Sequence, residues 1–431
     1  MRICIALLAF LALATPRLEA HEVPDRVAIT MFVKAEGDHL TILVRMPANA
    51  LIDYLLPTLY EGNFVDLEHS GALAEEGANV WIANLLDLRE EDRALPRPTL
   101  ETVRLSRLND PAFRSFDDAL ARIQSPPLSY DTRARQEQLT VDALLTTPIR
   151  SSASRFFFQP RFARLGVIVD TSLTFITPNG AQRVFRYSSD PPAFELDPGR
   201  GAALANFVSK GFAHYFDETD YLLFAICIAL LFAGWRGLLA FSLLFAAAQT
   251  VMLFATLSAV ATPFWLRSIC GTAIAASIVY AGAEAIIAHD ARRRVLAIVT
   301  GGIFGYGLWI GLQPELQFGG AHEIVAGAGF MMGVVGAQFL TIASCAAVMS
   351  VLRRFSLSPR RFSIVVAALV IHLAWRRLLE RADGLALVPS YGRGPDAESL
   401  IAGMLVVLAL VAVVSLRRRQ HAAATSDAGQ P

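Results

Sequence analysis

The sequence predicts a membrane α-helical bundle of about seven transmembrane helices, preceded by a β-rich, sandwich-like domain. Of the 431 residues, 54% are hydrophobic and 18% are charged, which is too apolar for an ordinary soluble protein. The apolar excess is concentrated after residue 211, where long apolar segments follow one another. Upstream of it, apolar and polar residues alternate as in half-buried strands. The formal net charge of zero gives no support to nucleic-acid binding.

The chain begins with MRICIALLAFLALA, one early arginine followed by a short apolar run and small residues. This pattern predicts a secretory signal peptide, because the run is too short to cross a bilayer. The residues leave two cleavage sites open, after Ala14 and after Ala20. With cleavage after Ala20, the chain divides into a signal peptide (1–20), an exported β-rich domain (21–205), a helical membrane domain (206–418) and a C-terminal tail (419–431).

The exported domain is predicted to be a β-sandwich with helical insertions. In VAITMFVKAEGDHLTILVRMP, residues 27–47, two alternating runs flank the turn-forming EGDH, which indicates a hairpin. Similar strands recur at RFFFQPRF, LGVIVDTSLTFI and AQRVFRY, with TPNG as the turn between the last two. The sequence FRSFDDALARI is compatible with a helix. Since the cysteines left after signal removal are Cys227, Cys270 and Cys345, this domain must fold without disulfides.

Seven apolar segments follow, most of them close to the ~20 residues that cross ~30 Å of hydrocarbon. They are 212–235, 237–260, 269–288, 295–312, 324–352, 363–379 and 399–416. The fourth and fifth segments carry glycines at spacings that let helix backbones approach closely in lipid. These glycines are Gly301, Gly305, Gly307, Gly311, Gly329 and Gly333.

The arginines that flank these segments predict the orientation. Arginines at 292–294, 353–354, 360–361 and 417–419 fall on one side of the membrane, which the positive-inside rule makes cytoplasmic. The N-terminal domain is then periplasmic, the C-terminus cytoplasmic, and the inner membrane of a Gram-negative cell the expected location. Arg376, Arg377 and Arg381 fall on the opposite side, against this rule.

The most specific motif is GFAHYFDETDYLLF, residues 211–224, at the mouth of the first apolar segment. Ionisable side chains there, such as His214 and Asp220, are costly in a membrane and are functional by default. The stretch resembles the first-helix signature of the HupE/UreJ family, roughly GFxHIxxGxDHLLF, with Tyr221 in the place of the second histidine. Members of this family include proposed nickel and cobalt permeases.

The resemblance continues along the later segments. The family's AHSITL looks like AQTVML, with Gln249 in the histidine's place, and SIVYxxxE is matched by residues 277–280 and Glu284. FGFGLVHG is similar to residues 304–311, with Ile310 at the histidine position. FNxGVExGQ resembles residues 330–338, which end at Gln338.

In that last motif, Met331 stands for the family's asparagine and Val335 for its glutamate. The resemblance implies a metal pathway, and nickel favours imidazole nitrogen with some carboxylate. What remains of that pathway is His214, Asp220, Glu284, Gln249 and Gln338.

Each of these groups also has a structural interpretation. His214 and Asp217 are compatible with a hydrated helix start, and Glu284 lies one turn after Tyr280, within reach of a hydrogen bond. His21 is a separate metal candidate, because cleavage after Ala20 would place its imidazole beside a free α-amine.

Two functions remain open. One is a metal permease or metal-delivery protein for nickel or cobalt. The other is a non-transporting descendant that anchors a periplasmic domain for a protein partner or ligand. Membrane lipid is an expected partner in both, and no resident cofactor is implied. Because no nucleophile-base constellation or phosphate loop occurs in the sequence, we predict that the protein is not an enzyme.

Overall fold

The structure is a computed structural model that describes residues 25–51, 54–59, 63–232, 234–257, 264–287, 293–355 and 358–386. They form two compact units, which divide between Pro198 and Gly199. The predicted signal peptide, His21, the seventh apolar segment and the C-terminal tail lie outside the described residues.

The described part of the first unit is built from two β-sheets, as the alternating sequence pattern predicts, and two α-helices. Its strands are β1 (Arg26–Glu36), β2 (His39–Pro47), β3 (Leu86–Glu90), β4 (Arg93–Ala94), β5 (Thr99–Arg107), β6 (Leu139–Pro148), β7 (Phe156–Pro160), β8 (Ile168–Ile176), β9 (Gln182–Ser188) and β10 (Phe194–Glu195). Its helices are α1 (Gly71–Trp81) and α2 (Phe116–Gln124). One sheet has the strand order β5-β6-β2-β1-β8-β9, and the other has the order β10-β7-β3-β4.

The predicted hairpins are confirmed. Strands β1 and β2 pair antiparallel, and the turn between them contains Gly37 at φ 58°. Strands β8 and β9 pair through a turn with Gly180 at φ 82°, a conformation that glycine adopts without a steric penalty. Strand β1 also pairs with β8 in parallel, which makes the larger sheet mixed.

Aromatic rings from the two sheets pack on one another, as in a sandwich. Phe156 and Phe175 have ring centroids 6.3 Å apart, and those of Phe185 and Phe194 are 5.0 Å apart. The other face of the larger sheet is covered by α2, which packs onto a buried cluster of Phe32, Leu43, Phe116, Ala119, Ile123 and Ile176. The predicted sandwich with a helical insertion is therefore the observed architecture.

The second unit is helical throughout its described part. Its helices are α3 (Arg200–Asp217), α4 (Thr219–Leu231), α5 (Trp235–Thr256), α6 (Phe264–Ile287), α7 (Arg293–Leu312), α8 (Glu323–Phe355) and α9 (Pro359–Ala386). Five of them, α5 to α9, are long and apolar enough to cross a membrane. Helix α4 is apolar but only 13 residues long.

The first predicted segment, 212–235, is not one helix, which corrects the sequence-based expectation. Glu218 has an extended backbone (φ −97°, ψ 100°) and separates α3 from α4. The polar residues at 217–219 allow the chain to leave the helix here. Asp220 then falls in the first turn of α4, where the helix dipole favours a negative charge.

Glycines bring the helix backbones together, as their spacing predicts. A Cβ added at Gly333 of α8 would lie 2.1 Å from the carbonyl oxygen of Val208 in α3. One added at Gly305 of α7 would lie 2.6 Å from the carbonyl oxygen of Gln249 in α5. Since side chains larger than hydrogen do not fit at these contacts, the predicted close packing is confirmed.

Candidate functional site

Asp220 is the most strongly bound of the predicted site residues. It is 3% exposed, and its two carboxylate oxygens face two arginines of α9. Arg377 donates from Nη1 to Oδ1 at 2.8 Å, and Nη2 of Arg381 lies 2.6 Å from Oδ2. Arg381 also donates from Nη1 to the carbonyl oxygen of Gly271 in α6, at 2.7 Å. This cluster therefore joins α4, α6 and α9.

The Asp220 cluster has the chemistry of a buried ion pair. Hydrogen bonds between guanidinium groups and a carboxylate are about twice as strong as neutral ones, and they occupy both oxygens that a metal ion would use. Two guanidinium groups against one carboxylate also leave a net positive charge. In a medium of low dielectric constant, this charge repels a divalent cation.

His214 lies at a meeting point of four helices. Its ring, on α3, has its centroid 6.3 Å from that of Tyr221 on α4 and 5.4 Å from that of Phe330 on α8. A Cβ added at Gly311 of α7 would lie 2.7 Å from His214 Cε1. Two of the family's histidine positions are therefore close to His214. Position 221 is in ring contact with it, and position 310 immediately precedes Gly311, against which the His214 ring packs. Position 221 holds a phenol and position 310 an alkyl side chain.

Aromatic rings fill the space beside Tyr221. The ring of Phe304 has its centroid 5.3 Å from that of Tyr221, 4.8 Å from that of Phe224 and 5.5 Å from that of Phe245. These four residues come from α4, α5 and α7 and are all buried. Their packing places an apolar wall beside the only imidazole among the aligned positions.

The two glutamines are buried in the bundle, at 0% exposure for Gln249 and 1% for Gln338. In the described part of the chain, neither the oxygen nor the nitrogen of either amide has a hydrogen-bond partner. A buried polar group left unsatisfied costs about 1–3 kcal/mol. These amides are therefore among the buried polar groups of the described bundle that are open to a further interaction.

Glu284 lies apart from the Asp220 cluster. It is half-buried on α6, thirteen residues beyond Gly271, which corresponds to about 20 Å along a helix. Within the described residues, no group of three or more His, Cys, Asp or Glu side chains could hold a metal ion. The structure thus brings His214 close to position 221 but does not bring Asp220 and Glu284 together.

The polar network of the first unit was not expected from the sequence. Arg45 on β2 donates from Nε and Nη2 to the two carboxylate oxygens of Asp142 on β6, both at 2.7 Å, and from Nη1 to the carbonyl of Asp110. Asp110 in turn pairs with Arg122 of α2 at 2.7 Å. The sequence did contain a signal for this network, because Arg45 and Asp142 are single charged residues within two otherwise uncharged strands. The network attaches α2 to the sheet.

One carboxyl of this unit has a perturbed pKa. Glu195 on β10 is 5% exposed, and burial raises the pKa of its carboxyl. Its Oε1 has no hydrogen-bond partner in the described region. Burial without full pairing makes its ionised form costly, so Glu195 is a source of pH-dependent stability.

Together these features define a class: a multi-pass membrane protein with a β-rich unit and a glycine-packed helical bundle. Residues 192–379 match the family model described as HupE / UreJ protein. This match covers most of the helical unit, and it confirms the resemblance to the HupE/UreJ family that the first-helix motif carries. No curated protein and no solved structure matches the chain.

Proposed function

We propose that the protein is a non-transporting member of its family, in which the helical bundle anchors the β-rich unit on the periplasmic side of the inner membrane. There the β-rich unit binds a protein partner or ligand. The observation that carries this proposal is the pairing of Asp220 with Arg377 and Arg381, at 2.8 and 2.6 Å. A carboxylate engaged in this way contributes to helix assembly.

The substituted positions support the same proposal. A nickel or cobalt ion needs imidazole nitrogen or carboxylate oxygen to replace its bound water. Tyr221 is packed among aromatic rings, and Ile310 and Val335 have no donor atom. The net positive charge around Asp220 adds an electrostatic barrier to a divalent cation.

The Asp220 cluster also supports the proposed orientation. Arg376, Arg377 and Arg381 are flanking arginines that oppose the positive-inside rule. Two of these three bind Asp220, so part of their charge is neutralised inside the bundle. They therefore weigh less against a cytoplasmic C-terminus than their number suggests.

The family consists of accessory and transport proteins, which supports the prediction that the chain is not an enzyme.

The second candidate function is a nickel or cobalt permease or a metal-delivery protein. It is favoured by the unpartnered amides of Gln249 and Gln338, which lie at positions aligned with the family's pathway, and by His214 near position 221. Amide oxygens are harder ligands than late divalent metals prefer, so this candidate ranks second. In it, Glu284 and Asp220 would supply the carboxylates.

Uptake of radioactive nickel and cobalt distinguishes the two candidates. Cells that express the full-length chain should take up no more ion than cells without it, and Asp220→Ala and Glu284→Ala should change nothing. Asp217→Ala is the matched control, because Asp217 is exposed and three residues from Asp220. Immunoblots of the membrane fraction must show equal amounts of each variant.

The opposite outcome is equally clear. Robust uptake that is lost in Asp220→Ala or Glu284→Ala, but kept in Asp217→Ala, would establish the permease. A gain-of-function variant provides a further check. It combines Tyr221→His, Gln249→His, Ile310→His and Val335→Glu, and it should bind more nickel than the parent if the bundle accepts the new side chains.

A further inference from the structure

Helix α9 carries two arginines into the bundle at the end where arginine is least expected. Arg377 and Arg381 are one turn apart, and their side chains are 34% and 29% exposed. Both bind Asp220, which is 157 residues away from Arg377 in sequence. Arg376, next to them, is exposed and has no such partner in the part of the chain described.

We propose that Asp220 is the counter-ion that sets the direction in which α9 crosses the membrane. This inference depends on the orientation given in the proposed function. An unpaired arginine inside a bilayer is costly, and the positive-inside rule draws it toward the cytoplasm. The Asp220 carboxylate offsets both effects, because it accepts from Arg377 and Arg381 within the bundle.

The break at Glu218 positions the counter-ion. It makes Asp220 a residue of the first turn of α4, where the helix dipole stabilises the ionised carboxylate. Arg381 has a second acceptor in the carbonyl of Gly271, so α6 takes part in the same contact. Because α4 and α6 precede α9 in the chain, their part of the site is present when α9 inserts.

The test measures which end of α9 is outside. Single cysteines are introduced in the full-length chain by Ser358→Cys at the start of α9 and Gly384→Cys near its end. Spheroplasts are treated with a membrane-impermeant maleimide before or after lysis. The unmodified protein is the blank and measures the labelling of the native cysteines, of which Cys227 and Cys270 are buried and Cys345 is half-buried.

We expect Gly384→Cys to react in intact spheroplasts and Ser358→Cys to react only after lysis. Adding Asp220→Asn should lower the outside labelling of Gly384→Cys by about tenfold or more, because two arginines left unpaired within the membrane disfavour this orientation by at least that factor. Adding Arg377→Gln and Arg381→Gln to Asp220→Asn should restore the labelling. The control Asp217→Asn, which removes a nearby exposed charge, should leave it unchanged.

Two results would overturn the inference. One is outside labelling of Gly384→Cys that is unaffected by Asp220→Asn. The other is a triple variant that stays as weakly labelled as Asp220→Asn, since the loss would then not come from the arginines. Labelling of Ser358→Cys instead of Gly384→Cys in the parent would reject the proposed orientation alone, and a change on adding Asp220→Asn would still report on the counter-ion.

Discussion

Gly333 of α8 packs against the backbone of α3, and replacing it by alanine should destabilise the helical unit. A Cβ at this position would lie 2.1 Å from the carbonyl oxygen of Val208 and 2.7 Å from the amide nitrogen of Phe212. Both are backbone atoms, so no side-chain rotation relieves the clash. The two helices would have to move apart along their contact.

The size of the effect follows from two opposing terms. Overpacking a tight contact costs about 1–3 kcal/mol, and the upper end applies where the neighbour is backbone. Alanine gains about 0.8–1.0 kcal/mol over glycine in a helix. Gly333→Ala should therefore lower the free energy of unfolding by about 2 kcal/mol. Gly336→Ala is the matched control, because a Cβ at Gly336 has nothing within 4 Å and only the gain applies.

The buried thiol of Cys227 provides an assay for this unit alone. It is 0% exposed, and the described residues of the β-rich unit contain no cysteine. A dye that fluoresces on reaction with thiols will thus report unfolding of the helices in detergent, as a rise above the signal from the half-buried Cys345. The Tm of Gly333→Ala should be roughly 4–8 °C below that of the parent, at about 2–4 °C per kcal/mol for a unit of this size.

Gly336→Ala should have the same Tm as the parent or a slightly higher one. Equal Tm values for Gly333→Ala and Gly336→Ala would refute the close contact between α3 and α8. A drop in both would mean that any methyl group on α8 is harmful, and the argument from the Val208 carbonyl would fail.

Two further predictions concern the N-terminal part of the chain. Sequencing of the mature protein should give HEV, starting at His21; a start at Thr15 would place that histidine inside the chain and eliminate its amine-imidazole metal site. Glu195→Gln should stabilise the β-rich unit at neutral pH, because burial raises the pKa of this carboxyl and the folded state then loses stability as its ionisation sets in with rising pH. The gain in stability should vanish below pH about 4, where the carboxyl is protonated in both the folded and the unfolded state. Urea unfolding of residues 25–198, followed by Trp81 fluorescence, measures this gain at both pH values. An equal gain at neutral and at acid pH would contradict the raised pKa of Glu195.

Local patterns predicted most of the fold. Alternation and turn glycines located the hairpins, and apolar length located α5 to α9. Two features depend on contacts that local patterns do not contain. The parallel pairing of β1 with β8 joins strands far apart in sequence, and the break at Glu218 lies in a polar triplet that is equally compatible with a hydrated helix start.

The candidate site was harder to predict, because a polar residue in a membrane segment has several possible partners. The sequence indicated that Asp220 needs one, and the family pattern suggested a metal ion. The overlooked signal was in the sixth apolar segment, where Arg377 opposes the positive-inside rule and Arg381 follows one turn later. Two partly buried guanidinium groups within the bundle require a carboxylate, just as Asp220 requires a cation.

The positions that match the family's motifs and those that differ from them have different structural roles. Gly211, Gly305 and Gly333 all match the family's motifs, and each lies against the backbone of a neighbouring helix. The positions at which the family offers imidazole or carboxylate hold Tyr221, Gln249, Ile310 and Val335. Helix packing depends on the first set and metal chemistry on the second. The resemblance therefore carries the architecture of the bundle, while the chemistry must be argued from the side chains present, and among these Asp220 is already paired with arginine.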